Sequence, residues 1–115
     1  MDNNHLRKNA LDKITANEFK RINGMAMRMI VLLFKVKWFM FNELEIALAT
    51  NKLTREEIYE ALDYFESEGY IEVRGIEGRQ LVRLADIDIC DVELKLTGEG
   101  KKVAYGIRID DAIDL

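Results

Sequence analysis

Residues 53–71 read LTREEIYEALDYFESEGYI. Thr54 with Glu57 three positions on forms a capping box, the hydroxyl taking an orphan amide and the carboxylate reaching back to the cap amide. Leu53 and Ile58 flank it as a hydrophobic staple. Ile58, Ala61, Leu62 and Phe65 then recur at i, i+3, i+4, i+7, the spacing of one apolar helix face. Gly69 closes this helix, predicted over Arg55 to Glu68. The period then changes to two, with Ile71 and Val73 alternating against Tyr70, Glu72 and Arg74.

Two further segments upstream carry the same grammar. Thr15-Ala16-Asn17-Glu18, stapled by Ile14 and Phe19, predicts a helix start. The helix runs from about Ala16 to Val36, and Asn23-Gly24 allows a break. Its second half is apolar nearly all round, as a central helix should be. Met25, Met27 and Met29 form a stripe that suits core or subunit interface, with a ligand pocket as the other reading. Trp38 to Phe41 reads as a brief strand. Asn42-Glu43-Leu44-Glu45, stapled by Phe41 and Ile46, opens a second helix to about Ala49, and Asn51-Lys52 is a turn.

Downstream, Gly75-Ile76-Glu77-Gly78 signals a turn, so Arg79 to Leu84 is expected to return as a hairpin partner. Ala85 to Asp91 is a connection or an irregular strand. Val92, Leu94 and Leu96 alternate with Glu93 and Lys95 as a third strand. Thr97 caps a last helix, about Gly98 to Tyr105, closed by Gly106. A tail dotted with Ile107, Ile109, Ile113 and Leu115 follows.

The order is helix, short strand, helix, turn, helix, hairpin, an α+β arrangement. The exit Leu62-Asp63-Tyr64-Phe65-Glu66-Ser67-Glu68-Gly69-Tyr70-Ile71 resembles the L-x-x-L-x-x-x-G-[YL]-[IV] exit of winged-helix regulators. Leu96-Thr97-Gly98-Glu99-Gly100 resembles their L-T-x-x-G junction. The resemblance covers about residues 25–106 and identifies a superfamily. It implies a winged helix: a three-helix core with a small antiparallel sheet and wing. Residues 1–24 would be a basic N-terminal helical extension and 107–115 a tail, all in one domain over 1–115. It also implies double-stranded DNA as a partner, with the third helix in the major groove and the wing beside the backbone. The positions that would carry such contacts are Lys52, Arg55, Tyr59, Arg74, Arg79 and Arg83.

Charge argues for a rival. The net charge is −4. Residues 1–40 hold eight basic and three acidic residues, 41–72 two and nine, and 73–115 seven and nine. With the apolar positions of the third helix inward, Glu56, Glu60, Asp63 and Ser67 fall on the opposite face. Those carboxylates meet repulsion from duplex DNA, which carries a charge every ~1.7 Å. The face can be solvated, or it can bind a basic protein partner. Arg79 and Arg83, on one side of the expected wing strand, are then the phosphate-clamp candidates. Arg7, Lys8, Lys13, Lys20 and Arg21 could form an arm on a nucleic-acid backbone or pair with the acidic middle. The apolar central helix, the basic segment and the tail together suggest a homodimer.

Catalytic chemistry has little to stand on. One His and one Cys cannot build a Cys/His zinc cluster. Ser67 is the only serine and His5 the only histidine, so no activated nucleophile is patterned. Carboxylates beside Cys90 disfavour its thiolate. Asp86 to Asp91 lacks the glycine and final glutamate of a calcium loop. Gly98-Glu99-Gly100 lacks a dinucleotide fingerprint's third glycine. The expectation is a non-enzymatic protein without cofactor, a small transcription-regulator-like DNA binder that uses wing and N-terminal basic residues, with a protein-binding module that uses the acidic third helix as the alternative. A lone cysteine fits a reducing cytoplasm, and Arg28, Lys35 and Lys37 interrupt the most apolar stretch, so no membrane span of ~20 residues is expected.

Overall fold

A computed structural model describes residues 2–115, with side chains from Thr15 onward. The architecture is α+β. Four α-helices occur among the described residues: α1 (Asp2–Leu33), α2 (Phe41–Leu48), α3 (Arg55–Ser67) and α4 (Gly98–Ala104). Three strands, β1 (Phe39–Met40), β2 (Ile71–Gly75) and β3 (Val92–Leu96), form an antiparallel sheet in the order β1-β3-β2. Among the described residues no helix is long and apolar enough to cross a membrane.

The sheet follows from alternation. Ile71 pairs with Leu96, Val73 with Leu94 and Gly75 with Val92, and all of these are buried. The intervening pairs are Glu72 with Lys95 and Arg74 with Glu93, so opposite charges meet across the other face. Phe39 pairs with Leu94 and brings α2 onto the same core.

α3 keeps its predicted phase. Ile58, Ala61, Leu62 and Phe65 are fully buried, and Glu56, Glu60, Asp63 and Ser67 are exposed. Thr54 Oγ1 accepts from the Glu57 amide at 3.1 Å and Glu57 Oε1 from the Thr54 amide at 2.8 Å. At the other end the Tyr70 amide donates to Phe65 O at 2.8 Å and Gly69 to Glu66 O at 3.0 Å. This Schellman closure needs the left-handed φ of +77° that Gly69 supplies. Thr97 ties α4 to the same place, its amide donating to Tyr70 O at 2.9 Å and its hydroxyl to Gly69 O at 2.6 Å. The two motifs that carry the resemblance are therefore one junction in space.

Several expectations fail. Thr15 to Glu18 is not a helix start but lies inside α1, and Glu18 pairs with Arg21 at 2.6 Å instead. α1 does not break at Asn23-Gly24. A Cβ on Gly24 would sit 1.9 Å from Asp114 O, so the glycine makes room for the C-terminal tail. α1 ends at Leu33, short of Val36, with Lys35 at a positive φ of 54°. The cap of α2 is Met40, not Asn42: Glu43 reaches back to the Met40 amide at 2.9 Å, and Ile46, 72% exposed, staples nothing.

The largest difference is the wing. Arg79 to Leu84 returns beside β2 only briefly: Leu81 bridges Arg74, the Gly75 amide donates to Gln80 O at 2.9 Å and the Val82 amide to Val73 O at 3.0 Å, while β3 pairs along the other edge of β2 over five residues. Burial of Leu84 ends the return. Leu84 is fully buried and its amide donates to Glu66 Oε2 at 2.9 Å, which pulls the segment down onto α3. Short 3-10 turns at Leu84–Asp86 and Ile89–Asp91 then lead into β3.

The tail is pinned to α1. Ile113 is buried, the Asp114 amide donates to Lys20 O at 3.0 Å, and Asn23 Nδ2 donates to Ala112 O at 2.9 Å. Of the methionine stripe, Met27 is fully buried and Met25 and Met29 pack partly against the core.

Candidate functional site

The basic candidates separate. Lys52 closes the 3-10 turn before α3 with a left-handed φ of 60°. Arg55, at the first turn of α3, lies 5.2 Å from the Phe41 ring centroid and 3.5 Å from Cys90 Sγ. Tyr59 is half-buried, its hydroxyl 3.5 Å from Leu84 O. Arg55 and Tyr59 share a shallow concavity with Glu56 and Glu60. Docking of Leu84 on α3 brings its neighbour Arg83 beside that helix.

Arg74 is committed internally. Its Nε donates to Glu93 Oε1 at 3.1 Å and its guanidinium lies 3.8 Å from the Trp38 ring centroid. Lys95 approaches the same ring at 5.5 Å. Arg74 is therefore engaged within the sheet by Glu93 and Trp38. Arg79 and Arg83 are exposed, but without a strand they have no common side fixed by alternation. Arg79 sits in the turn at a φ of 52°.

The acidic candidates stay together. Glu56, Glu60 and Asp63 present one exposed face of α3. Beside them runs a groove between α1 and α3, with Phe19 and Ile22 as its apolar floor and Glu18, Glu57 and Glu60 among its lining. The Arg21 guanidinium hydrogen-bonds Glu18 and holds its carboxyl below the usual range. Phe19 is braced edge-on against Tyr64 at 5.4 Å. Sequence reading assigned Phe19 to a staple and left Ile22 unassigned. Their spacing on a helix was the signal that both line one face.

Three other features are structural. Asp88 Oδ1 accepts from the Cys90 amide at 2.8 Å and caps a 3-10 turn; that amide holds its carboxyl low. Cys90 is exposed. Asp110, one acidic residue among 21 in the sequence, accepts from the hydroxyls of Tyr64 and Tyr70 and from the Ala112 amide. No protein-family model, curated protein or solved structure matches the chain.

Proposed function

We propose that the chain is a winged-helix domain used as a protein-binding module, which takes a basic segment of a partner on α3 and the adjoining α1–α3 groove. The winged-helix reading is supported by the element order and by the β1-β3-β2 sheet behind three helices. The observation that carries the binding reading is the groove itself. An apolar floor of Phe19 and Ile22 with glutamates around it suits side chains that are greasy at one end and cationic at the other. A phosphate backbone offers neither apolar contact nor positive charge.

DNA binding is the second reading, and exposed Lys52, Arg55, Arg79 and Arg83 favour it. Fluorescence anisotropy separates the two. A labelled amphipathic Leu/Lys helix should bind the protein, and Glu56→Gln with Glu60→Gln should weaken it. A labelled random duplex should show no binding at low salt. Duplex binding that falls steeply with salt, and that the Gln changes strengthen, would decide for DNA.

A further inference from the structure

A second surface of opposite chemistry lies where α1 ends. Val31, Val36, Leu96 and Tyr105 line a concavity of about 130 Å³ together with Lys35 and Lys101. Its apolar lining is open, Val36 being 47% and Tyr105 57% exposed, and Leu32 and Leu33, 70% and 51% exposed, add apolar surface at the same end of α1. Single exposed apolar residues are ordinary, but exposed apolar side chains gathered around one concavity with a polar rim mark an interaction site. The rim here is cationic. Lys35 and Lys101 make no ion pair among the described residues, and no carboxylate lines the concavity. Glu99, on the same helix as Lys101, is already taken by Lys102 at 3.1 Å and Arg108 at 2.9 Å.

We propose that this lysine-rimmed groove receives an acidic amphipathic helix of a partner protein, which seats one bulky apolar side chain against Val36 and Tyr105. Charge complementarity selects this occupant. A second copy packed about a two-fold axis would bring Lys35 and Lys101 towards their own equivalents, and like charges repel. A lipid face is flat, whereas the concavity fits one side chain. An amphipathic helix supplies apolar anchors at i, i+3, i+4 and i+7 on one side, with carboxylates beside them for the two lysines. Lys101 is held ready for that contact, its ammonium 5.9 Å from the Tyr105 ring centroid. The site shares no residue with the α3 surface, so it stands whether or not that surface binds a basic segment.

The probe is a labelled Leu/Glu amphipathic helix, compared by anisotropy with its Leu/Lys counterpart in separate titrations of the protein, so that the two helices never meet. The Leu/Glu helix should bind with micromolar affinity that weakens with salt. Lys35→Glu with Lys101→Glu should reduce that binding about tenfold or more. Val36→Ser with Tyr105→Ser should abolish it. All four positions are exposed, and unchanged thermal melting would show that the variants fold. No Leu/Glu binding, or binding indifferent to both double substitutions, would overturn the proposal. Pelleting with phosphatidylserine vesicles in place of peptide binding would assign the patch to a membrane surface. A dimer that the Val36/Tyr105 double variant converts to monomer would assign it to a second copy.

Discussion

Tyr70 donates its hydroxyl to Asp110 at 2.6 Å across forty positions of sequence. Tyr64 donates to the same carboxylate at 2.8 Å. One side chain of the tail thus clamps the end of α3 and the start of β2. Burial works to raise the Asp110 pKa, but the Tyr70 hydroxyl, the Ala112 amide and the Tyr64 hydroxyl outweigh it, and the net shift is downward.

A depressed carboxylate stabilises the fold above its unfolded value near 3.8, and that contribution is lost as pH falls through the folded value. Asp110→Asn should cost about 1–2 kcal/mol at neutral pH and should flatten the acid limb of stability. Urea midpoints from pH 7 down to the acid transition check this. An acid limb unchanged by the substitution would mean that the clamp is energetically idle. At the alkaline end, burial and then Asp110 push Tyr70 up to about 12 and Tyr64 higher still. Both raised groups favour the fold below their unfolded value near 10, and the gain is lost as pH rises towards the folded values. Ultraviolet titration should find two tyrosines that ionise late, and Asp110→Asn should bring them earlier.

Leu62 is fully buried and Glu60 exposed on the opposite face of α3. Leu62→Ala should cost roughly 2–5 kcal/mol. Glu60→Ala should stay within about 0.5 kcal/mol. Chemical denaturation of both variants tests the phase of the helix; equal shifts would contradict it.

Gly100 and Gly98 lie two residues apart in α4 and should respond oppositely. A Cβ on Gly100 would sit 2.1 Å from Tyr70 O, whereas one on Gly98 would meet nothing within 4 Å. Gly100→Ala must push the junction apart and should cost roughly 1–3 kcal/mol or more. Gly98→Ala should stabilise by about 0.5–1 kcal/mol through helix propensity. Differential scanning calorimetry should therefore move the two melting temperatures in opposite directions.

Arg74 tests whether a wing arginine is functional or structural. With its guanidinium 3.8 Å from Trp38 and paired to Glu93, Arg74→Met and Trp38→Leu should couple by about 0.5–1 kcal/mol in a double-mutant cycle. Arg79→Ala with Arg83→Ala should leave stability within about 0.5 kcal/mol, because both side chains are exposed. Zero coupling between Arg74 and Trp38 would free Arg74 for a ligand.

Local chemistry was enough for α3, for β2 and β3, and for the Thr97 cap of α4. Capping boxes, apolar periods and glycines act over a few residues, so neighbours in sequence determine them without help from distant segments. The acidic face of α3 was legible for the same reason, since 100° per residue places Glu56, Glu60 and Asp63 opposite Leu62. Only the tertiary structure decided which strand pairs with β2. The turn signal at Gly75 to Gly78 does bring Gln80 to Val82 back along one edge of β2, but burial of Leu84 on α3 ends that return after one bridge, and the five-residue pairing on the other edge comes from β3. The same holds for Gly24, whose meaning is the carbonyl of Asp114 lying against it, and for Asp110, whose partners are forty and forty-six residues away. Such contacts leave no local pattern, because the chain brings them together only when the whole core closes.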